Sequence, residues 1–359
     1  MKQYMQQAIQ LAQSASSTGI NPRVGAVVVK DGRVVGFGAH LKAGEAHAEV
    51  HAIRMAGAAA YGATIYVTLE PCSHHGKTPP CADLLVESGI KRAVIAMEDP
   101  NPLVSGRGIA RLKAAGIDVE VGLLESEARA LNTAFLRSLE TKRPYVILKT
   151  ATSLDGKVAL DNGDSKWVTG TAARRDVHEL RATVDAVLTG VGTVLADDPG
   201  LTVRLDRETT QPLRIVLDRD LRTPLSSQLV RTANDTPVLL YTTSDDQAKR
   251  EAMATYGVEI ADYTSLGAVL QDVYARGIGR LLVEAGPTLV TSILDGQFVD
   301  EWVMYQSPRV FGGKGGFYRS PQDGPLETIE RFDVRSVETF GTDIKLIMRK
   351  EESNVHGNR

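Results

Sequence analysis

His47-Ala48-Glu49-Val50-His51 and, a little further on, Thr68-Leu69-Glu70-Pro71-Cys72-Ser73-His74-His75-Gly76-Lys77-Thr78-Pro79-Pro80-Cys81 are the stretches on which the reading of the first half turns. The first lies in an Ala-rich segment, Ala46 to Ala60, that predicts a helix. The second begins on a short β-branched strand, Thr64 to Thr68. Pro79 and Pro80 precede a helix from about Cys81 to Glu87, with Gly89 where a C-terminal cap is expected. One imidazole and two thiolates, from His47, Cys72 and Cys81, suit a tetrahedral zinc ion whose fourth position is left for water. Zinc lowers the pKa of such a water, and Glu49 is expected to act beside it as general acid and base. Two residues apart on a regular helix, side chains diverge by about 200°, so His47 and Glu49 share a site only at the helix end. A purely structural zinc ion or inert buried thiols are the blander readings. Three protein ligands favour catalysis, because structural zinc sites are normally closed by four. His51 reads as a helix-facing or neighbouring residue, and the order His-x-Glu is not the H-E-x-x-H of metalloproteases.

Strand and helix signals alternate around these stretches, the pattern of an α/β fold. Val24 to Val29, Lys30-Asp31-Gly32 and Val34 to Gly38 predict a β-hairpin. Arg92 to Met97 reads as a strand, Ile109 to Ala115 as a helix stopped by Gly116, and Glu125 to Leu139 as one longer amphipathic helix. Thr141-Lys142-Arg143-Pro144 breaks that helix and sets the expected boundary between a domain over 1–144 and another over 145–359. The second half alternates again, with strands expected at Tyr145 to Ala151, Ala186 to Thr189, Leu213 to Leu217, Pro237 to Tyr241, Arg280 to Glu284 and Glu301 to Tyr305. The tail after Arg349 is polar and reads as frayed.

A chain of 359 residues exceeds what one core usually serves, and 43% hydrophobic with 24% charged residues supplies material for two. The net charge of −3 argues against a broad nucleic-acid footprint or a polybasic membrane surface. Arg174-Arg175 reads as a solvated helix face. No segment offers the ~20 apolar residues of a membrane span, and Met1 to Ala15 has no continuous apolar core of a signal peptide. Two cysteines in such a chain do not read as a disulfide framework. The protein is therefore expected in the cytoplasm.

The ordered set of H-x-E, strand, P-C and second cysteine resembles the signature of zinc nucleobase deaminases, with one departure: here the second thiol follows the first by nine residues rather than three. Asn21-Pro22-Arg23-Val24-Gly25 and the two stretches quoted above resemble the bifunctional deaminase–reductase family of riboflavin biosynthesis. The resemblance continues through Asp99-Pro100-Asn101-Pro102, Gly106-Arg107-Gly108, Ser153-Leu154-Asp155-Gly156, Gly192-Thr193-Val194-Leu195-Ala196-Asp197-Asp198-Pro199 and Val283-Glu284-Ala285-Gly286-Pro287. It spans nearly the whole chain and is weakest from about Arg219 to Gly277 and in the tail. It implies a cytidine-deaminase-like α/β/α domain followed by a dihydrofolate-reductase-like α/β domain. The first would use one catalytic Zn2+ to remove the 2-amino group of 2,5-diamino-6-(5-phosphoribosylamino)pyrimidin-4(3H)-one. The second would use NADPH to reduce the ribosyl group of 5-amino-6-(5-phosphoribosylamino)uracil to ribityl. By motif, Asn21, His40, His74, Lys77 and Asn101 would line the deaminase pocket. Lys77 also has a physical case, since an ammonium between the two thiols suits a substrate phosphate; an exposed loop lysine is its plainer reading.

The second half is less explicit from its residues alone. The G-x-G-x-x-G fingerprint is absent, because Gly190-Val191-Gly192 continues Thr193-Val194-Leu195. Two strand–glycine–helix turns, Thr189 to Thr193 and Glu284 to Thr288, each offer backbone N–H groups and a helix N-terminus to a phosphate. The resemblance implies substrate contacts at Lys149, Ser165, Arg181, Asp197, Leu201, Arg204 and Glu284. It implies cofactor contacts at Ala151, Trp167, Thr193, Asp197 and the run Gly286, Pro287, Thr288, Leu289, Val290, Thr291 and Ser292. Arg181 and Arg204 suit phosphate forks, and Asp197 or Lys149 suits assistance to ribosylamine ring opening. Arg219 departs from the small polar residue common in the family and is expected to contact the 2′-phosphate of NADPH. Two rivals remain at this point. One is a zinc deaminase of another nucleoside or tRNA base with a non-catalytic C-terminal domain, and the other is a binding module merely stapled by zinc. The expected partners are a small phosphorylated pyrimidine and further copies of the chain, with neither nucleic acid nor membrane.

Overall fold

Residues 1–15, 18–42, 44–73, 80–101, 105–320, 329 and 331–350 are described by a computed structural model. Their contacts divide the chain into two units, Met1–Lys142 and Arg143–Arg359.

The first unit runs α1 (Lys2–Gln13), β1 (Gly25–Lys30), β2 (Arg33–Ala39), α2 (Ala48–Ala56), β3 (Thr64–Val67), α3 (Cys81–Glu87), β4 (Arg92–Ile95), α4 (Arg107–Ala114), β5 (Asp118–Val121), α5 (Glu125–Leu131) and α6 (Thr133–Thr141). Its sheet has the order β2-β1-β3-β4-β5. The expected hairpin pairs β1 with β2, β1 also pairs antiparallel with β3, and β3, β4 and β5 are parallel. Helices cover both faces. Gly25 and Gly38 occupy adjacent paired positions, opposite Ala39 and Ala26, and so point to opposite faces. A Cβ on Gly25 would lie 2.0 Å from the Ala8 carbonyl oxygen of α1, and one on Gly38 would lie 2.5 Å from that of Ala48 in α2. Helix α2 is thus seated directly on backbone, which fixes the height of its first turn.

Two expected helices are corrected. The Ala-rich helix is shorter than Ala46 to Ala60: it starts at Ala48 and stops at Ala56, where Gly57 takes φ 53° and a 3-10 turn follows. The single helix over Glu125 to Leu139 is two helices broken at Asn132. The Asn132 side chain accepts from Arg23 N at 2.8 Å and donates to Arg23 O at 3.0 Å, so a distant segment competes for the local geometry.

The second unit runs β6 (Tyr145–Thr152), α7 (Thr171–Arg181), β7 (Ala186–Gly190), α8 (Val191–Asp197), β8 (Leu213–Leu217), α9 (Gln228–Arg231), β9 (Val238–Thr242), α10 (Gln247–Thr255), β10 (Val258–Asp262), α11 (Leu266–Ala275), β11 (Arg280–Glu284), α12 (Pro287–Asp295), β12 (Glu301–Gln306), β13 (Phe332–Phe340) and β14 (Asp343–Lys350). The sheet order is β10-β9-β8-β7-β11-β6-β12-β14-β13. Strands β10 through β12 in that order are parallel, whereas β14 runs antiparallel to both β12 and β13. The parallel strands carry near-continuous apolar runs such as Val146-Ile147-Leu148 and Leu281-Leu282-Val283, because helices cover both of their faces. Strands β5, β10, β13 and β14 escaped the sequence reading. They lie at or next to sheet edges, where mixed polar residues such as those of Asp118–Val121 and Phe332–Phe340 replace the apolar signal. Residues 351–359 lie outside the described residues.

After β7 the chain moves outward to β8, β9 and β10. It then returns to insert β11 between β7 and β6, and from β11 it moves the other way to β12. The carboxyl ends of β7 and β11 therefore flank a topological switch point, the place where open α/β sheets leave a crevice for ligands.

Candidate functional site

In the first unit His47 is the N-cap of α2 rather than its first residue, with extended φ −70° and ψ 163° and no capping bond from its side chain. That break in helical geometry lets His47 and Glu49 converge although they are two residues apart. His47 Nδ1 lies 3.3 Å from Cys81 Sγ and 3.6 Å from Cys72 Sγ, and the Cys81 backbone N–H donates to Cys72 Sγ at 3.3 Å. One ligand atom from each of the three residues lies within 4.8 Å of the others. Ligands of a tetrahedral zinc stand about 3.5–3.8 Å apart, given Zn–S of about 2.3 Å and Zn–N of about 2.0–2.1 Å. The geometry fits that ion.

The protonation chemistry fits it as well. A hydrogen bond from the Cys81 thiol, joined by others from His47 and the Cys81 N–H, pulls the Cys72 thiol well below the ordinary thiol range. The bond to Cys72 in turn raises His47. Glu49 is 3% exposed, and its Oε2 has no hydrogen-bond partner among the described residues. Burial pushes its carboxyl up to about 7, where gaining and losing a proton are comparably easy.

His40 follows β2 and packs edge-on against His47, with ring centroids 5.4 Å apart; burial lowers its pKa. Asn21 sits on the segment that enters β1. Gly25 N donates to the Thr68 hydroxyl at 3.1 Å, and Thr68 N donates to Gly25 O at 3.1 Å, which ties that segment to the end of β3. Asn101 donates its N–H to Asp99 Oδ1 at 2.9 Å. His74 and Lys77 lie outside the described residues.

In the second unit Lys149 on β6 and Glu284 on β11 are register partners. Arg181, at the end of α7, donates Nε to Glu284 Oε1 at 2.5 Å and Nη2 to Oε2 at 3.0 Å, and Lys149 Nζ lies 3.6 Å from Oε2. Burial opposes charge on Glu284, but Arg181 and Lys149 overcome it and hold the carboxyl at about 2. Arg181 Nη1 also donates to Thr202 O at 3.0 Å, within the segment that carries Leu201 and Arg204. Leu201 is buried and adopts φ 51°. His178, to which the sequence reading gave no role, lies 3.2 Å by its Nδ1 from Thr202 O and 3.2 Å from Arg204 N. Its spacing of three residues before Arg181 on a helix was the available signal.

At the switch point Thr193 Oγ1 accepts from Gly286 N at 3.2 Å, so the two strand–glycine–helix turns stand side by side. Gly286 caps α12, Pro287 opens that helix, and it runs on through Thr288, Leu289, Val290, Thr291 and Ser292. A Cβ on Gly192 would meet open space. This cradle of free backbone suits a phosphate-bearing cofactor. Asp197 ends α8 and lies 3.9 Å from Lys166 Nζ, which brings the segment holding Ser165 and Trp167 to the same end of the sheet as Ala151. Trp167 is exposed and lies under the Arg174 guanidinium at 4.6 Å. Arg219 follows β8, with its guanidinium 5.2 Å over the Tyr263 ring.

Among the described residues, no helix is long and apolar enough to cross a membrane. Residues 1–97 match the cytidine and deoxycytidylate deaminase zinc-binding region, and residues 144–346 match the RibD C-terminal domain. The riboflavin biosynthesis protein RibD of Bacillus amyloliquefaciens is 43% identical over 99% of both chains, and that of Escherichia coli is 44% identical over 96% of this chain and 97% of its own. The solved structure of Acinetobacter baumannii RibD superposes with a TM-score of 0.90 at 41% identity, covering 97% of this chain and 98% of that one. A Thermotoga maritima structure described as a diaminohydroxyphosphoribosylaminopyrimidine deaminase/5-amino-6-(5-phosphoribosylamino)uracil reductase gives 0.86 at 39% identity, with the same coverage. Similarity across both halves disfavours a deaminase of another base with an idle C-terminal domain. The chain belongs to the RibD family of bifunctional riboflavin-biosynthesis deaminase–reductases.

Proposed function

We propose that residues 1–144 carry the deaminase and residues 145–359 the reductase, each with the site residues assigned below. The observation that carries the reading is the convergence of His47, Cys72 and Cys81 beside a buried Glu49 whose Oε2 is unpartnered. His47, Cys72 and Cys81 hold one zinc ion, which when bound supplies a water acidified toward neutral pH. Glu49 takes a proton on Oε2 and later returns one to the departing amine. Asn21, His40, His74 and Asn101 line the pocket and orient the pyrimidine, and Lys77 meets the substrate phosphate.

In the reductase, NADPH supplies the hydride when bound in the cradle formed by Ala151, Trp167, Thr193 and Gly286 to Ser292. Lys149, held by Glu284, or Asp197 at the end of α8 assists the ribosylamine as the ring opens. Arg181 spends its fork on Glu284, so Arg204 is the freer guanidinium for a phosphate. Ser165 and Leu201 shape the remaining wall. Arg219 contacts the 2′-phosphate of NADPH. In this reading the protein is cytoplasmic and self-associates through its second unit; it binds no nucleic acid, in keeping with a net charge of −3.

Mass spectrometry of the product formed from the diaminopyrimidine ribosylamine phosphate tests the order of events. Without NADPH the expected product has exchanged one amino group for oxygen; with NADPH it has also gained two hydrogens. Reduction without prior deamination, or no reaction in zinc-loaded protein, would overturn the assignment.

A further inference from the structure

Glu70 and the Gly106-Arg107-Gly108 stretch belong to sequence motifs that neither activity has so far used. Glu70 is 4% exposed and lies two residues before Cys72. Among the described residues no cation reaches its carboxylate; four backbone N–H groups do. Oε2 accepts from Asp99 N at 3.2 Å and from Gly106 N at 3.0 Å. Oε1 accepts from Gly108 N at 2.8 Å and from Ile109 N at 3.2 Å. Three of these donors are the otherwise orphaned N–H groups at the start of α4, where an anion is favoured. The fourth, Asp99, lies two residues before Asn101. A single carboxylate oxygen thus grips both ends of the segment from Asp99 to Gly106, on which Asn101 stands.

A second observation at the same junction is steric. A Cβ on Gly108 would lie 2.0 Å from the Pro71 carbonyl oxygen, so the start of α4 touches the backbone of the Cys72 segment directly. Only a residue without a side chain permits that approach.

We propose that Glu70 is a positioning residue of the deaminase centre: it locks the segment that supplies Cys72 to the segment that supplies Asn101, so that metal and pyrimidine are held in one register. The inference rests on the assignment of Asn101 to the pocket made above. A glutamine at position 70 keeps the shape but turns an amide N–H2 toward two N–H donors, so it disrupts half of the hub.

The test uses the full-length, zinc-loaded chain and three readouts: zinc transfer to a chromogenic chelator, deaminase KM and kcat, and reductase activity on the deaminated substrate as a folding control within the molecule. In Glu70→Gln, zinc transfer is expected to accelerate by about 10–100-fold and deaminase KM to rise about tenfold, while reductase kcat/KM stays within about twofold. Gly108→Ala, which keeps the carboxylate but forces the two segments apart against the Pro71 carbonyl and Glu70 Oε1, is expected to move zinc transfer and KM in the same direction, and it decides the matter should Glu70→Gln fail to fold. Unchanged zinc transfer and KM in the folded variant would overturn the proposal. So would equal loss of both activities in a variant that still folds. If the parent protein holds zinc but does not deaminate, the assignment of the first unit fails, while the zinc-transfer result still decides whether Glu70 positions Cys72.

Discussion

Glu49 in the first unit and Glu284 in the second are both buried glutamates, and their surroundings drive them apart. Glu49 has one carboxylate oxygen without a hydrogen-bond partner among the described residues, and burial lifts it to about 7. Glu284 is gripped by Arg181 and reached by Lys149, and despite its burial it stays near 2. Desolvation acts on both; the Arg181 and Lys149 charges, with the hydrogen bonds they donate, distinguish Glu284. An unpaired buried carboxylate exchanges protons near neutral pH, which a hydrolytic deamination needs. A paired one keeps its charge down to about pH 2 and serves to hold two cations in place, which suits a site where the cofactor supplies the reactivity.

The sharpest way to break this contrast is to neutralise each residue in turn. Glu49→Gln is expected to lower deaminase turnover by about 10²- to 10⁴-fold while zinc content and reductase activity remain. Residual deamination close to that of the parent would mean that the unpartnered oxygen is idle. Glu284→Gln leaves Arg181 and Lys149 without their carboxylate, which should destabilise the second unit by about 3–5 kcal/mol and abolish reduction. Urea unfolding followed by circular dichroism, with each activity assayed alongside, measures both effects. The pH dependence follows from the sign of the shift. Because the folded-state value is depressed, the stabilisation is complete above the ordinary 4.5 and drains away as pH falls toward about 2. The acid slope should be shallower in Glu284→Gln by that contribution, the other depressed carboxylates of the unit, such as Asp155 and Asp272, keeping theirs. A slope unchanged by the substitution would show that the carboxylate is not paired in solution, and the contrast with Glu49 would fail.

The two sites also differ in how much of them the sequence made visible. The proposed zinc ligands come from two short stretches whose residue types have few other joint uses, so the grouping of His47, Cys72 and Cys81 beside Glu49 was legible before any fold was known. The capping geometry of His47 was legible too, as the only way for two residues at that spacing to converge. The triad in the second unit draws on Lys149, Arg181 and Glu284, more than 100 positions from end to end, and only the insertion of β11 beside β6 brings it together. Nothing local marks such residues, and the resemblance alone named them. Long-range side-chain bonds were invisible for the same reason. The grip of Glu70 on α4 and the grip of Asn132 on Arg23 join positions whose separation carries no periodicity.

Arg219 sharpens the contrast from the cofactor side, because it lies in the stretch where the resemblance is weakest. Arg219→Ser should reduce the preference for NADPH over NADH by about tenfold or more, the worth of one charge-assisted contact to a phosphate, with kcat for NADPH little changed. Steady-state kinetics with both cofactors decides it. An unaltered preference would mean that the guanidinium only covers the Tyr263 ring.

The smallest expected effect bears on why the last helix of the first unit is broken. Asn132 is 2% exposed, and its side chain makes a reciprocal pair of bonds with the Arg23 backbone, with a third from Nδ2 to Ala128 O at 3.4 Å. Asn132→Ala favours a continuous helix by propensity and removes the pair, so the two effects oppose each other. Losing about two net hydrogen bonds costs about 1–3 kcal/mol, against a few tenths regained from helix propensity. The first unit should therefore be destabilised while the second is not. Arg23 is two residues from Asn21, so deaminase KM should rise by a few fold while reductase constants hold. A more stable first unit in Asn132→Ala would mean that propensity wins at this position, and the break between α5 and α6 would need another cause.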